Sequence, residues 1–344
     1  KLETLVRRRI AVAGGNSLKN VKLAKAMLEE AISRQTDRVY AKETLSYAGL
    51  TTLFEDDFVD RSRDENEGAQ IALKKMDSVV GLKPVKEFVH SLYAQLQLAQ
   101  QKREMGIDGQ GSSSTLHMVF SGNPGTGKTT VARVVADLLK ALGLLRTGHL
   151  VEADRAALVA GYSGQTALKT QAVVDSALGG VLFVDEAYAL VGEDGKDSFG
   201  REALNTLIKL VEDYRNDLVV ILAGYSKEMV GLFEANPGLQ SRFPTVIEFD
   251  DYTSEELLEI AEQMLLQDVM MLSMEASRKL KGLLQEVVSS PNGKDARANG
   301  NGRAVRNILE KAKRAQAVRL QQLGPGRRSQ EELCTLMPED FGAV

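Results

Sequence analysis

The chain has 344 residues, of which 43% are hydrophobic and 26% charged, and its formal net charge is −4. The acidic balance argues against broad attraction to nucleic acids, no apolar run has the length of a membrane span, and the single cysteine, Cys334, excludes an intramolecular disulfide framework. We therefore expect two or three structural units in an intracellular, reducing compartment, with no membrane partner and with nucleic acid disfavoured as a ligand.

The N-terminal part of the chain divides into two predicted segments. Residues 1–60 contain a helical pattern, and residues 61–75 begin as a charged run without apolar residues that we interpret as a linker. Residues 20–31 align without gaps on residues 301–312, and both copies are followed by an acidic-Asp-Phe sequence. This repeat indicates either two generic Lys/Glu-rich helices or that residues 1–60 are the remnant of an upstream domain of the C-terminal kind.

Apolar runs and helical patterns alternate through residues 76–250. The predicted strands lie near residues 116–121, 148–152, 181–185, 218–223 and 245–249. Helices between successive strands predict a parallel sheet with helices on both faces. In residues 251–344 the pattern is helical, and the predicted helices are Ser254–Asp268, Ser273–Ser290 and Arg303–Leu323. We therefore predict an α/β domain followed by a helical domain.

A glycine-rich loop joins the first predicted strand to an amphipathic helix. Gly122 to Thr130 reads Gly-Asn-Pro-Gly-Thr-Gly-Lys-Thr-Thr, and this order of strand, loop and helix is typical of a phosphate-binding loop. Its glycines allow backbone N–H groups to converge on phosphate oxygens, while Lys128 can reach the β- and γ-phosphates and Thr129 can hold Mg²⁺. The loop predicts a nucleotide site.

The third predicted strand ends in two acids. Asp185 follows four apolar residues and would hold Mg²⁺, directly or through water. Glu186 is then placed to polarise an attacking water as a general base. The pair predicts hydrolysis of the bound nucleotide.

Together, the loop, the paired acids and the helical C-terminal domain resemble AAA+ ATPases. The local amino-acid sequence from about Met76 to Phe341 resembles the CbbX/CfxQ and stage V sporulation protein K group. The segments that carry this resemblance are Leu82–Lys86, Phe120–Gly127, Gly161–Thr166, Gly179–Tyr188, Val220–Tyr225, Asn236–Phe243 and Asn301–Asn307. The resemblance implies a P-loop core with a parallel five-stranded sheet between helices, then a small all-helical lid. Residues 1–60 would then be the remnant of an upstream lid in a tandem protein.

The same resemblance implies a nucleotide site for ATP and Mg²⁺. Residues assigned to the nucleotide are Val80, Gly81, Asn123, Pro124, Gly125, Thr126, Gly127, Lys128, Thr129, Thr130 and Arg303. Val80 and Gly81 would pack on the adenine, and Arg303 would reach the nucleotide from the lid of the same subunit, with Arg306 as the alternative. Thr129 and Asp185 would be the metal ligands.

Three further positions follow from the resemblance. Arg242 occupies the place of the arginine finger that reaches the neighbouring subunit's γ-phosphate. Many AAA+ proteins have a polar residue after the fourth strand; here Tyr225 or Ser226 would take that role. Tyr162 corresponds to the aromatic residue of a substrate-gripping pore loop.

The predicted function is that of a homo-oligomeric, hexameric ring that hydrolyses ATP and threads a protein client through its pore, with rubisco-activase-like or related chaperone activity. The alternative is an ATP-dependent assembly scaffold or switch that does not thread. A clamp-loader or helicase-like role is disfavoured by the acidic charge of the chain.

Overall fold

The computed structural model describes residues 65–105, 115–162, 164–192, 197–289, 300–322 and 328–342. From Gly68 to Val344 the chain forms one compact unit. The predicted helical segment in residues 1–60, with the upstream copy of the repeat, lies outside the described residues.

The first described helix, α1 (Glu65–Ser78), corrects the linker assigned to residues 61–75. Residues 65–75 are helical because Ala69, Ala72, Leu73 and Met76 are all buried and recur at the 3–4–7 spacing of one helix face. The charged residues at the start of the segment concealed this stripe. Helix α2 (Lys83–Glu104) follows after a short break.

Five parallel strands form the central sheet, in the spatial order β2-β3-β4-β1-β5. The strands are β1 (Met118–Gly122), β2 (Leu150–Ala153), β3 (Val181–Val184), β4 (Val219–Gly224) and β5 (Thr245–Phe249). All five lie at the predicted places, and the predicted parallel α/β sheet is confirmed. Strand β1 lies between β4 and β5, so the chain leaves it for the far edge of the sheet and returns. Such a switch point is where ligands bind in open parallel sheets.

Helices cover both faces of this sheet. The helices of this domain after α2 are α3 (Lys128–Ala141), α4 (Arg155–Leu158), α5 (Thr166–Ala177), α6 (Ser198–Asp213), α7 (Ser226–Ala235) and α8 (Gly238–Arg242). Neighbouring strand residues point to opposite faces, so that Phe120 packs with α1, α2 and α3 while Val119 packs with α5 and α6. The three central strands, β3, β4 and β1, are therefore buried on both sides, as their apolar runs predict, whereas the edge strands β2 and β5 are partly exposed.

The C-terminal part is helical, as predicted. Its helices are α9 (Ser254–Gln267), α10 (Met274–Ser289), α11 (Asn301–Gln322) and α12 (Gln330–Cys334). Helix α9 begins with a capping box in which Thr253 and Glu256 satisfy each other's backbone N–H groups. The structure adds one feature that the sequence analysis does not predict, a parallel pair of two-residue strands, β6 (Met271–Leu272) and β7 (Thr335–Leu336). In the described part of the chain, no helix combines the length and the apolar character needed to cross a membrane.

Candidate nucleotide-binding site

A cavity of about 940 Å³ opens between the sheet domain and the helical lid. Its walls come from the carboxyl ends of β1, β3 and β4, from the end of α1, and from α9 and α11. The predicted site residues that line it are Val80, Pro124, Gly125, Gly127, Lys128, Thr129, Thr130, Asp185, Glu186, Tyr225 and Arg303. The structure thus brings together residues from both domains that are up to 223 positions apart, from Val80 to Arg303.

The glycine-rich loop connects β1 to α3 and presents the first turn of that helix to the cavity. Gly125 and Gly127 have φ of +74° and +92°, in the left-handed region that favours glycine. At Gly125 a side chain is also excluded by packing, because a Cβ atom would lie 2.3 Å from the carbonyl oxygen of Gly300. The N-terminus of α3, with Lys128 and Thr129, therefore points its unpaired N–H groups toward the place where phosphates would bind.

Lys128 is held within the loop. Its Nζ donates hydrogen bonds to the carbonyl oxygens of Gly122, at 2.9 Å, and Asn123, at 2.7 Å. Burial lowers the pKa of Lys128 to about 8, and the nearby Asp185 carboxylate partly offsets this shift. A cation that has lost most of its water is a strong partner for phosphate oxygens.

Asp185 and Glu186 follow β3 at the same edge of the sheet. Glu186 has φ of +48°, which is uncommon outside glycine, and its N–H donates to Asp185 Oδ1 at 3.0 Å. Backbone conformations of this kind cluster at functional sites, where the surroundings hold a side chain in a required direction. Here the turn places both carboxylates on the cavity wall.

Thr129 and Asp185 fit the requirements of Mg²⁺. Mg²⁺ prefers oxygen ligands and commonly takes one or two protein groups, while phosphates and water complete its octahedron. A hydroxyl and a carboxylate on one cavity wall supply that set.

Of the two candidates for the polar residue after β4, the geometry favours Tyr225. Its hydroxyl lies 3.4 Å from Glu186 Oε1, at the long end of hydrogen-bond distance, and its ring stacks obliquely on Tyr188. Ser226 instead accepts a hydrogen bond from Ser121 Oγ at 2.8 Å, and it does not line the cavity.

Val79 and Val80 supply an apolar part of the cavity wall. The adjoining Gly81 does not line the cavity. A Cβ atom at Gly81 would lie 2.4 Å from Glu256 Oε1 and 3.2 Å from the ring of Tyr252. This glycine therefore permits close packing between the wall and the lid.

Two predicted loop residues turn away from the cavity. The Asn123 side-chain amide donates to both oxygens of Asp251, at 3.0 and 2.8 Å. The Thr126 hydroxyl is buried and donates to the carbonyl of Asn123 at 2.9 Å. Both side chains support the shape of the loop instead of lining the place where the nucleotide would lie.

Sequence reasoning missed three residues beside the loop: Asp251, Tyr252 and Asn301. The Tyr252 hydroxyl donates to the Thr126 carbonyl at 3.1 Å, and burial raises the pKa of Tyr252 to about 12. The sequence did contain one indication that Asp251 and Tyr252 lie near the loop. Both closely follow β5, at the edge of the sheet that carries the loop.

The lid contributes Arg303 through the first turn of α11. The backbone N–H of Gly302 donates to the Gly125 carbonyl at 3.1 Å, which joins the start of this helix to the glycine-rich loop. Arg303 lines the cavity, and Arg306 lines it one turn further along. Among the described residues, the guanidinium of Arg303 makes no hydrogen bond, so its donors are available to a ligand.

Arg242, in contrast, does not line the cavity. It ends α8, where its Nη1 donates to the Gly238 carbonyl at 3.1 Å and its Nε lies 3.8 Å from Glu212 Oε2. The Arg242 side chain is 31% exposed, whereas its Nε is itself buried and has no hydrogen-bond partner within the described ranges. The guanidinium therefore reaches the surface only in part, outside the cavity.

Tyr162 lies in the turn between α4 and α5 and is 74% exposed. A Cβ atom at the neighbouring Gly161 or Gly164 would meet no atom within 4 Å, so the turn has open space around it. Ser163, between them, lies outside the described residues.

Comparison with known protein families identifies both domains. Residues 118–251 match the model of the ATPase family associated with various cellular activities (AAA), and residues 253–344 match that of the AAA lid domain.

Two curated relatives are similar over most of their length. Stage V sporulation protein K of Bacillus subtilis is 46% identical over 247 residues, which is 72% of this chain and 75% of that protein. Protein CbbX of Cereibacter sphaeroides is 42% identical over 284 residues, which is 82% of this chain and 89% of that protein. Among solved structures, a RuvB mutant of Thermotoga maritima superimposes with a TM-score of 0.51 at 18% identity, covering 77% of this chain and 69% of that one. The last likeness concerns the fold alone.

Proposed function

We propose that this chain, which belongs to the AAA ATPases and within them to the group of CbbX, CfxQ and stage V sporulation protein K, is a ring-forming motor. The motor would remodel a protein client. The chain binds nucleotide and is an ATPase, as its family is. The proposal concerns how the residues of the site divide this work, how subunits cooperate, and what the hydrolysis drives.

Within one subunit, the cavity residues have separate roles. Lys128 and the N-terminus of α3 hold the phosphates, and Thr129 with Asp185 hold Mg²⁺. The metal, when bound, neutralises charge that develops on the phosphate oxygens. Glu186 accepts a proton from the attacking water, and Tyr225 helps to hold the Glu186 carboxylate in place through the contact at 3.4 Å.

The position of Arg242 supports a site shared between subunits. The cavity already contains Lys128 and Arg303, but Arg242, at the end of α8, lies outside it with a partly exposed side chain. An arginine supplied by a neighbouring molecule can raise the rate of phosphoryl transfer by about 10³–10⁵. The separation of Arg242 from the cavity is the single observation that carries the proposed ring, for which we propose six subunits.

Mixing two inactive variants tests the shared site. Glu186→Gln lacks the general base but keeps Arg242, and Arg242→Ala lacks the arginine but keeps the base. If the site is shared, a 1:1 mixture regains ATPase activity, because about a quarter of the random interfaces join an intact base to an intact arginine. If the mixture stays as inactive as its components, Arg242 does not act on a neighbour and the shared site is wrong.

Exposure of Tyr162 supports threading of the client. An aromatic ring that is 74% exposed on an open turn contributes little to the fold and is available to grip a peptide. Threading is tested with fluorescently labelled casein, a permanently unfolded protein, in the presence of ATP. We expect the unaltered chain to relieve the quenching of casein fluorescence when ATP is present. Tyr162→Ala should lose this effect but retain its ATPase activity.

Leu168→Ala is the matched control, since Leu168 is also exposed, at 72%, on the adjoining helix α5. It should leave casein processing unchanged. Equal processing by Tyr162→Ala would contradict threading. If the unaltered chain hydrolysed ATP slowly and did not process casein, an assembly switch would be favoured instead. As compartment we propose an intracellular, reducing one, because Cys334 is the only cysteine.

A further inference from the structure

Three polar side chains meet behind the glycine-rich loop, away from the cavity. Asn123 belongs to the loop, Asp251 follows β5, and Asn301 begins α11 of the lid. Asp251 accepts from Asn123 through both carboxylate oxygens and from the Asn301 amide at 2.7 Å through Oδ1. One carboxylate therefore joins the loop to the lid.

Asn301 is the most connected member of this group. Its Oδ1 accepts the backbone N–H of Tyr252 at 3.0 Å, and its amide also lies 3.3 Å from the carbonyl of Pro124 in the loop. The residue is only 2% exposed and has φ of +40°, a conformation in which Asn and Asp are enriched among non-glycine residues. A buried amide with three partners holds its position firmly, because losing any partner would leave a polar group unsatisfied.

This group lies directly beside the functional arginine. Asn301 is followed by Gly302, whose N–H donates to Gly125 in the loop, and then by Arg303 in the cavity. The loop and the start of α11 approach closely at Gly125, since a Cβ atom there would lie 3.0 Å from the Arg303 nitrogen. The start of α11 is thus tied to the loop by side chains behind it and by backbone contact in front of it.

We propose that Asn301 and Asp251 are positioning residues that hold Arg303 and the phosphate-binding loop in a fixed relation, and that this relation sets the preference of the site for ATP over ADP. The inference rests on the proposed function and takes Arg303, on the cavity wall, to contact the phosphates of the bound nucleotide. It also gives Asn123 a different role from the predicted one: its side chain anchors the loop to Asp251. ATP is more sensitive than ADP to a displaced guanidinium because the γ-phosphate adds charge and acceptor oxygens.

The experiment uses the full chain and calorimetric binding of MgADP and of a non-hydrolysable ATP analogue with Mg²⁺. Asn301→Asp places a carboxylate against Asp251 and should reduce the preference for the ATP analogue over ADP by about tenfold, the effect of displacing one charged contact. The double variant Asp251→Asn/Asn301→Asp restores one amide facing one carboxylate. We expect its preference to recover only in part, because the carboxylate at position 301 can no longer donate to the carbonyl of Pro124.

Two more variants distinguish an effect on the position of Arg303 from an effect on the stability of the fold. Asn301→Gly permits the positive φ but removes the amide, and it should lower the preference as Asn301→Asp does. Asn216→Asp makes the same chemical change in an exposed turn at the opposite end of β4, and it should leave the preference unchanged. Melting temperatures of all variants are measured in parallel, because a purely structural role would lower them without changing the ratio of the two affinities.

The outcomes are distinct. An unchanged ratio in folded Asn301→Asp would overturn the inference while leaving the proposed motor intact. If Asn301→Asp does not fold, an unchanged ratio in folded Asn301→Gly would overturn the inference equally. If the parent bound neither nucleotide, the proposed function would fail first, and this inference with it.

Discussion

Arg303 is predicted to contact the nucleotide of its own subunit and Arg242 the γ-phosphate of a neighbouring one, and the structure places them in different surroundings. Arg303 is on the cavity wall, and the helix that carries it is joined to the glycine-rich loop at Gly302 and Asn301. Arg242 is at the end of a five-residue helix, outside the cavity and near Glu212. Under the proposed function, Arg303 would serve the nucleotide of its own chain, whereas Arg242 would act on the nucleotide of a second molecule.

The two regions also differ in how they are supported. Arg303 depends on contacts between domains, through Asp251 and Asn301, so its position depends on how the lid sits on the core. Arg242 depends on the sheet domain alone, because Leu239 of α8 and Phe243, the residue that follows this helix, are buried in the same core cluster as Val119 of β1. Substitutions in the two regions should therefore affect different steps, and the following predictions separate them.

The largest expected effect comes from Arg242→Ala. We expect kcat for ATP to fall by about 10³–10⁵-fold if the guanidinium stabilises transition-state charge in a neighbouring site, with nucleotide affinity changed less than about threefold. Steady-state ATPase assays and calorimetry measure the two quantities. Arg215→Ala is the control, because Arg215 pairs with the same Glu212 at 2.8 Å. A larger loss in Arg215→Ala than in Arg242→Ala would transfer the role to Arg215.

Glu186→Gln should have the next largest effect. Removing a general base lowers kcat by about 10²–10⁴-fold, whereas the affinity for MgATP should be retained because the phosphate contacts remain. Single-turnover hydrolysis and calorimetry test this. In the control Glu152→Gln, a carboxylate of strand β2 that pairs with Arg133 is lost, and turnover should change little. Undiminished turnover in Glu186→Gln would remove Glu186 from the mechanism.

Arg303→Ala should act on binding. The loss of a hydrogen bond to a charged group costs about 1.5–3 kcal/mol, so we expect nucleotide affinity to fall by about 10- to 100-fold, by calorimetry. Arg314→Ala, an exposed arginine three turns along the same helix, is the control and should bind normally. If Arg303→Ala binds as tightly as the parent but Arg306→Ala does not, Arg306 is the contact.

The smallest expected effect concerns the support of the Arg242 region. His117 is buried, its ring centroid lies 5.6 Å from that of Phe243, and its Nδ1 accepts the Val220 N–H at 3.0 Å. Burial lowers the pKa of His117 to about 4, from 6.5. The folded state therefore favours the neutral ring, and stability present above pH 6.5 is lost as the pH falls toward 4.

Between pH 7 and pH 5.5 this loss should be about 1 kcal/mol of unfolding free energy, measured by chemical denaturation. In His117→Asn, where an amide oxygen can accept the same N–H, the loss between these two pH values should be smaller by that amount. An identical pH dependence in both proteins would show that His117 does not contribute to it.

Much of the site could be predicted because its chemistry follows short spacings along the chain. The loop from Gly122 to Thr129 and the acids Asp185 and Glu186 each follow a buried strand, and parallel strands carry their carboxyl ends to one edge. The same logic predicted the sheet. It failed for α1, where a charged run at the start of the helix concealed the buried stripe from Ala69 to Met76.

The remaining features depend on contacts between distant parts of the chain. Amino-acid order alone determined that a nucleotide loop, a pair of acids and a helical lid are present, since each is encoded by residues close in sequence. Only the folded molecule decided that Asn123 bonds to Asp251, that Asn301 closes the same group, and that Arg242 stays outside the cavity. The physical reason is that hydrogen bonds and burial act over a few ångströms in space, whereas these partners are separated by 50 to 128 positions along the chain.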